Sequence, residues 1–392
     1  MSAAFALFLP RNIRFGRGVA GDAARTITTL GRRPLLVHGA NADRAHWLIQ
    51  ALDEAGRAPW SIACPREPDI ELIEQGVALG REVGADVIIG LGGGSVIDMA
   101  KALAGLIPAG GAVIDYLEVV GGGQALDGEP LPLVAVPTTA GTGTEATRNA
   151  VIDVPSARRK VSLRDPRLLP ATAIVDPALT DSAPRHVTLA SGLDAVTQVI
   201  EPYISCQANR FTDAICRDAI PVGLQALVRL MVAEDAAARD DMAWVSLSGG
   251  LALANAKLGA VHGLAGPLGG VTDLPHGVIA GALLPPVLRA NREFVAGQGA
   301  ARIHEVEQWI AAALGCGTDE AIDRLAAWSR AAGLPGLGAS GLDPSSLATI
   351  AETAAGSSSM KGNPVVLPAA RLVQAMEEAW EGVCRYAMAD GA

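Results

Sequence analysis

The chain has 392 residues, of which 50% are hydrophobic, 18% are charged and only 4% are aromatic. This length suits two domains, and the hydrophobic content provides a substantial core and argues against intrinsic disorder. The formal net charge is −10 at pH 7, and the longest basic run is the short cluster at 158–160. Both features argue against nucleic acid as a partner.

The first 180 residues alternate short apolar runs with helical patterns. We predict a short hairpin at 5–15, and further strands at 34–37, 61–64, 86–91, 133–136, 151–154, 160–163 and 173–175. Helices are predicted at about 42–55, 69–83 and 96–106. The run at 86–91 is nearly all apolar, which is typical of a strand covered on both faces. This alternation predicts an α/β fold with a parallel sheet.

A glycine-rich turn follows the apolar strand at 86–91. Residues 92–95 read GGGS and lead directly into a helical pattern. Such a turn lets a phosphate approach the backbone, where the free N–H groups of the helix's first turn bind it. The GGGS sequence lacks the full G-x-G-x-x-G spacing. The interpretation as a phosphate-binding turn therefore depends on its position between a strand and a helix. The run at 121–123 precedes no helix and is interpreted as a loop.

A second polar loop follows the predicted strand at 133–136. It reads PTTAGTGTE at 137–145 and combines four hydroxyl groups with two glycines. Open α/β sheets bind ligands at the carboxyl ends of their strands, where this loop lies. A threonine-rich turn that only satisfies its own backbone is the alternative for the loop taken alone.

The helical half begins near residue 181, after the Asp176–Pro177 boundary. Its pattern is helical to the end of the chain, with predicted breaks at 266–275, 333–344 and 357–364. We therefore predict an α/β domain at 1–180 and an all-helical domain at 181–392.

Four polar side chains in the helical half suggest a metal site. Asp194 and Gln198 are four residues apart in a predicted helix and therefore share a face, while His262 and His276 follow later. One carboxylate, two imidazoles and an amide oxygen form a mixed set suited to Fe²⁺ or Zn²⁺. Taken singly, each residue is more often a capping carboxylate or a core histidine.

Several of these motifs, in this order, resemble the iron-containing (group III) alcohol dehydrogenases over nearly the whole chain. They are GGGSVIDMAKA at 92–102, PTTAGTGTE at 137–145, DPAL at 176–179, GLDAVTQ at 192–198, His262 and PHG at 275–277. The resemblance implies a Rossmann-like dinucleotide-binding domain followed by an all-α domain, the two-domain architecture that dehydroquinate synthase also has. It further implies an NAD(P)-dependent alcohol dehydrogenase or aldehyde reductase (EC 1.1.1.-) that acts on a small alcohol, aldehyde or ketone.

The resemblance also implies which residues contact NAD(P). The pyrophosphate would lie on the glycine turn (residues 92–95), with Asp98 nearby. The threonine loop (residues 137–145) would line the inner phosphate, ribose and nicotinamide side of the cofactor. Asn149 and Lys160 would also contact the cofactor. These expected contacts are Gly93, Gly94, Ser95, Asp98, Thr138, Thr139, Thr142, Asn149 and Lys160. Gly39 stands where an acidic residue would repel a 2′-phosphate, so we expect NADP(H) to be accepted without exclusion of NAD(H).

The metal site implied by the resemblance consists of Asp194, Gln198, His262 and His276, and the catalytic residues are Asp194, His262 and His276. Two positions depart from the family pattern. Gln198 replaces a ligand histidine, and Gly266 replaces a histidine that would lie near the substrate. We therefore expect Fe²⁺ or Zn²⁺ to be bound weakly or not at all.

Three alternatives stay open at the sequence level. One is a metal-independent reductase of the maleylacetate reductase type, and another is a binding protein with a degraded site. The third is a lyase of the dehydroquinate synthase type, which needs a basic phosphate-binding pocket that the isolated Arg and Lys residues of the helical half do not suggest. We expect a cytoplasmic homo-oligomer, a dimer, with a small-molecule substrate. The apolar start of the chain has no basic n-region and is interrupted by Pro10, and no uninterrupted apolar stretch approaches about twenty residues. We therefore expect neither a signal peptide nor a membrane span.

Overall fold

The computed structural model describes residues 4–181 and 183–381. The chain divides into two compact units, Ala6–Ser182 and Ala183–Ala392, the second of which includes Met1–Phe5. In the described part of the chain, no helix has both the length and the hydropathy needed to cross a membrane.

The unit Ala6–Ser182 is built on a parallel six-stranded sheet. The strands are β1 (Ile13–Phe15), β2 (Pro34–His38), β3 (Trp60–Ala63), β4 (Val87–Gly92), β5 (Leu133–Pro137), β6 (Asn149–Val154), β7 (Arg159–Arg164) and β8 (Thr172–Val175). The sheet has the order β1-β8-β5-β4-β2-β3, and all of its pairs are parallel. Strands β6 and β7 form a separate antiparallel pair.

Both faces of this sheet are covered. The helices of the unit are α1 (Ala23–Thr28), α2 (His46–Glu54), α3 (Ile70–Glu82), α4 (Gly94–Leu106) and α5 (Val113–Tyr116). Neighbouring β4 residues point into different apolar clusters: Ile88 packs with residues of α3 and α4, and Ile89 with residues of α1 and α2. The predicted α/β class with a parallel sheet is confirmed.

The predicted hairpin at 5–15 is wrong. Only Ile13–Phe15 forms a strand there, and it pairs in parallel with β8, more than 150 residues later. Pro10 has no N–H to donate to a ladder, and the Asn12 carbonyl accepts from the Ala173 N–H at 2.9 Å. Pairing with the distant strand β8 therefore provides the backbone hydrogen bonds that the predicted local hairpin was expected to provide.

The unit Ala183–Ala392 is helical throughout its described part. Its helices are α6 (Arg185–Ile204), α7 (Arg210–Val232), α8 (Ala236–Ala256), α9 (Ala260–Gly269), α10 (His276–Phe294), α11 (Gln298–Leu314), α12 (Ala321–Ala331), α13 (Leu347–Ala355) and α14 (Ala369–Glu378). Helix α6 is buried along nearly all of its length and packs against α7, α8 and α10. The predicted all-helical region is confirmed.

The break predicted at 266–275 begins later than expected. Helix α9 continues through Gly266 and Pro267 to Gly269, and the break occupies only 270–275. Pro267 lies within the last turn, where it removes one backbone hydrogen bond, and the helix ends two residues later.

Candidate functional site

The first donor of the predicted metal site lies in the middle of α6. Asp194 has only 1% of its surface exposed, so its carboxylate needs compensation by neighbouring groups. Its Oδ1 atom lies 3.3 Å from Nε2 of His262 and 3.8 Å from Nε2 of His276. The structure therefore brings together three residues that are up to 82 positions apart in the sequence.

His262 lies in the first turn of α9 between two carboxylates. Its Nε2 faces Asp194, and its Nδ1 lies 2.6 Å from Oε2 of Glu201. Burial alone would lower the pKa of His262, but its hydrogen bonds to Asp194 and Glu201 raise that pKa to about 10. Burial would likewise raise the pKa of Asp194, but the charge on His276 and the bond to His262 hold it below 3.8. The carboxylate of Asp194 is thus ionised at neutral pH.

His276 is the first residue of α10, and its side chain remains 37% exposed. Its ring centroid lies 5.3 Å from that of His262. A close approach of α10 to α6 places it there, because a Cβ atom on Gly277 would lie 2.4 Å from the Ala190 carbonyl oxygen. Glycine at 277 is therefore a condition for bringing His276 to Asp194.

The three donors fit a divalent metal. One carboxylate oxygen and two imidazole nitrogens lie within 4.8 Å of one another. Donor atoms around tetrahedral zinc lie about 3.4 Å apart, which follows from metal–ligand distances of about 2.0–2.1 Å. Three protein ligands with further positions left open are typical of catalytic rather than structural sites.

The two departures from the family pattern differ in their surroundings. Gln198 is buried one turn after Asp194 on α6, and its Cβ lies 3.0 Å from the position of a Cβ on Gly249. Gly266 lies one turn after His262 on α9, and a Cβ there would have no neighbour within 4 Å. The space that a histidine side chain would enter at position 266 is open.

Glu201 was missed in the sequence analysis. It is 2% exposed, contacts His262 through Oε2 and accepts from the Val261 N–H through Oε1 at 2.7 Å. Its spacing supplied a signal, since Asp194, Gln198 and Glu201 lie at i, i+4 and i+7 along one face of α6.

The predicted phosphate-binding residues lie at one edge of the parallel sheet. Strands β2, β4 and β5 are neighbours, with His38 opposite Leu91 and Gly92 opposite Pro137. The carboxyl ends of all three strands therefore meet. The segments that follow them carry Gly39, Gly93, Gly94, Ser95, Thr138, Thr139 and Thr142.

The threonine loop packs directly over the glycine turn. The Thr138 N–H donates to the Gly92 carbonyl at 3.0 Å. A Cβ on Gly94 would lie 3.0 Å from the Thr142 side chain. The N-cap residue Gly93 has no side chain to occupy the first N–H groups of α4, so these groups can bind an anion. The residues at this edge fit a dinucleotide pyrophosphate.

A buried charged cluster lies beneath this edge. Asp98 and Lys101 on α4 and Glu145 in the threonine loop are all nearly inaccessible. Lys101 Nζ donates to Thr147 Oγ1 at 2.7 Å, whereas Asp98 Oδ1 is buried without a hydrogen-bond partner. Burial raises the pKa of Asp98 and lowers that of Lys101, and each charge partly opposes the shift of the other.

The remaining predicted cofactor contacts lie on the β6–β7 pair and after β2. Asn149 begins β6, and its carbonyl accepts from Lys101 Nζ at 3.0 Å. Lys160 on β7 is ion-paired with Glu67 at 2.5 Å. Gly39 is surrounded by open space, since a Cβ there would meet nothing within 4 Å.

Comparison with known families identifies the class of protein that this fold and site define. The family described as "Iron-containing alcohol dehydrogenase" matches residues 10–177, and "Fe-containing alcohol dehydrogenase family, C-terminal" matches residues 188–380. The chain belongs to the iron-containing alcohol dehydrogenase family, which confirms the resemblance found in the sequence.

Curated relatives agree with this assignment. Long-chain-alcohol dehydrogenase 1 of Geobacillus thermodenitrificans is 40% identical over 58% of this chain, and the chain spans 57% of its length. The chain spans 58% of the length of Alcohol dehydrogenase 4 of Saccharomyces cerevisiae, at 39% identity over 58% of the chain. Lactaldehyde reductase of Escherichia coli is 35% identical over 71% of this chain and 74% of its own.

Solved structures share the fold over almost the whole chain. A 1,3-propanediol oxidoreductase superposes with a TM-score of 0.84 at 29% identity, covering 96% of this chain and all of the other. An alcohol dehydrogenase from Oenococcus oeni gives a TM-score of 0.85 at 29% identity with the same coverage.

Proposed function

We propose that this protein is an NAD(P)-dependent oxidoreductase that interconverts a small alcohol and its aldehyde or ketone with the help of a divalent metal. The observation that carries the proposal is the donor set of Asp194, His262 and His276, in which the carboxylate is buried and His276 remains 37% exposed. In the oxidative direction the alcohol would lose a hydride from its carbinol carbon to NAD(P)⁺ and a proton from its hydroxyl. The products are the carbonyl compound, NAD(P)H and H⁺.

The residues of the helical unit would hold the metal. Asp194 would supply the anionic oxygen, which its lowered pKa keeps ionised, and His262 and His276 would supply nitrogens through Nε2. Because the pKa of His262 is raised to about 10, metal binding at neutral pH would displace the Nε2 proton of this ring. A bound Fe²⁺ or Zn²⁺ supplies Lewis-acid polarisation of a carbonyl oxygen. Gln198 is proposed as a fourth ligand through its amide oxygen, a weaker donor than imidazole.

The residues of the α/β unit would hold the cofactor. The first N–H groups of α4 and the glycine turn would bind the pyrophosphate, and the hydroxyls of Thr138, Thr139 and Thr142 would surround the ribose and nicotinamide side. Asp98, Asn149 and Lys160 remain proposed contacts nearby. In this role the domain of residues 1–180 binds the dinucleotide and that of residues 181–392 binds the metal and substrate.

With glycine at 266, no side chain of α9 at that position can relay the hydroxyl proton. We propose that the proton leaves through water or the cofactor ribose. The names of the relatives range from a long-chain alcohol to lactaldehyde and 1,3-propanediol for the proteins that carry those names. A small alcohol or aldehyde is the substrate class that we propose for this chain.

The test is a reduction assay with the purified protein, NADPH or NADH, and a panel of small aldehydes and ketones, followed at 340 nm. Reduction of at least one carbonyl compound is expected. Failure to bind either cofactor, measured by calorimetry, would leave only the binding-protein alternative. The expected homodimer stays a prediction that sedimentation velocity can check.

A further inference from the structure

Glu201 uses both of its carboxylate oxygens, and each has a different partner. Oε1 accepts from the Val261 N–H at 2.7 Å, and Oε2 lies 2.6 Å from Nδ1 of His262. At 2% exposure, no solvent replaces either contact. A buried carboxylate held by two specific donors has a fixed orientation, so it can fix the orientation of its partners in turn.

The contact with His262 determines which ring nitrogen carries a proton. A carboxylate accepts only, so Nδ1 is the donor in this pair. The other nitrogen, Nε2, faces Asp194 Oδ1 and donates to it while the ring is protonated. Once Nε2 releases that proton, its lone pair belongs to the three-donor set, while the proton on Nδ1 stays with Glu201. Histidine ligands in metal sites are commonly oriented by such a carboxylate on the far ring nitrogen.

We propose that Glu201 is a positioning residue that holds the His262 ring with its proton on Nδ1 and its Nε2 lone pair directed at the metal. This inference rests on the metal site of the proposed function and assigns a role to a residue outside the three-donor set. It gives a role to a carboxylate that is buried on the same face of α6 as Asp194 and Gln198.

A purely structural role is the competing explanation. Glu201 belongs to α6, but its carboxylate lies at the N-terminus of α9, where a negative charge is favourable for any helix. Asn363 makes the equivalent capping contact, since its Oδ1 accepts from the Ala260 N–H at 3.0 Å. Within the described residues, its other side-chain hydrogen bonds are with Asn291 and Val365, not with His262. Asn363 therefore provides a control, because its loss removes a cap of α9, together with its bonds to Asn291 and Val365, and removes no contact of the His262 ring.

Glu201→Gln separates the two roles while preserving side-chain volume. Glutamine offers one acceptor and one donor group where glutamate offers two acceptors. If the amide oxygen keeps the Val261 N–H, the amide N–H₂ faces Nδ1 and favours the tautomer with Nε2 protonated. If the amide flips, two donors face each other at Val261. The substitution thus keeps the cap only by disturbing the histidine.

The experiment measures Zn²⁺ dissociation constants by chelator competition in the full-length wild type, Glu201→Gln and Asn363→Ala, together with the melting temperatures of the metal-free proteins. Ring ¹⁵N shifts of the Zn²⁺-loaded proteins report the protonated nitrogen. We expect Glu201→Gln to weaken Zn²⁺ binding about 10–100-fold. We expect Asn363→Ala to lower the melting temperature and change the dissociation constant less than about threefold.

Wild-type protein that binds Zn²⁺, with Glu201→Gln binding it equally well and showing the same ring ¹⁵N shifts, would overturn the positioning role alone. Wild-type protein that binds no Zn²⁺ would overturn the metal site of the proposed function, and this inference with it. Weakened binding in both variants, in proportion to their loss of melting temperature, would show that Glu201 acts only as a cap.

Discussion

Gln198 is the one member of the proposed ligand set that departs from the family pattern. Replacing it in Gln198→His adds an imidazole donor one turn after Asp194 without changing the charge of the site. We expect metal binding to tighten by about 10–100-fold. Chelator competition with Zn²⁺ measures the change. Equal affinities would show that position 198 does not reach the metal.

The absence of a side chain at position 39 bears on cofactor choice. Open space surrounds Gly39 at the carboxyl end of β2. In Gly39→Asp, a carboxylate would hydrogen-bond ribose hydroxyls and repel a 2′-phosphate. We expect the ratio of the NADPH to the NADH dissociation constant to rise by about tenfold, which corresponds to about 1.4 kcal/mol.

Gly39→Asn is the matched control, because it has the same size without the charge. Its ratio should stay near that of the wild type. The interpretation of Gly39 would be wrong if the wild-type protein bound NADPH about a hundredfold more weakly than NADH, a difference of about 2.7 kcal/mol.

Glu145 predicts a pH dependence of stability. Burial raises its pKa from 4.5 to about 7, against smaller opposing effects from its own backbone N–H and Lys101. A raised carboxyl pKa contributes stability that is fully present below pH 4.5 and is lost as the pH rises through about 7. The glutamine in Glu145→Gln cannot ionise. The free energy of unfolding of this variant, relative to that of the wild type, should therefore increase as the pH rises through this range.

The expected gain of Glu145→Gln between pH 5 and pH 8 is on the order of 2–3 kcal/mol. Urea titrations at several pH values, followed by a probe in the α/β unit, measure it. Parallel stability curves for the two proteins would show that the ionised carboxylate is compensated by groups such as Lys101.

At the scale of elements, the contact between α6 and α10 builds the metal site. A Cβ on Gly277 would lie 2.4 Å from the Ala190 carbonyl oxygen, and backbone atoms cannot move aside cheaply. Gly277→Ala should therefore push the start of α10 away from α6. We expect a loss of about 1–3 kcal/mol in the free energy of unfolding and weaker metal binding through His276.

Gly266→Ala is the control for this substitution. A Cβ at 266 has no neighbour within 4 Å, and alanine favours the interior of α9. Its thermal stability should be unchanged or slightly higher. If the two substitutions had equal effects on melting temperature, the close approach at Gly277 would not be the cause.

Local sequence patterns predicted those elements that are determined by the residues within them rather than by a distant partner. The apolar run of β4, the glycine turn and the start of α4 were predicted because burial and backbone geometry mark them directly. The pairing of β1 was not, since its partner β8 lies more than 150 residues away and no local pattern identifies it. The end of α9 was missed because Gly266 and Pro267 usually stop a helix, and here they lie within its last turn.

Across the whole molecule, order and spacing of motifs predicted the family, but contacts between distant elements were needed to complete the site. The donor set joins α6, α9 and α10, and all three of its members were predicted from the residue pattern and the resemblance. Glu201 was not, because its role depends on a contact with a residue 61 positions later. A single sequence shows that Asp194 and Glu201 share a helix face, but not what that face meets.

A divalent metal on Asp194, His262 and His276 is proposed to assist the reaction. The most direct test of this claim is the metal content and carbonyl reductase activity of the same preparation before chelation, after chelation and after Zn²⁺ or Fe²⁺ is restored. We predict that activity falls with metal content and returns when metal is added. Full activity in thoroughly metal-free protein would contradict the claim and place this chain with the metal-independent reductases.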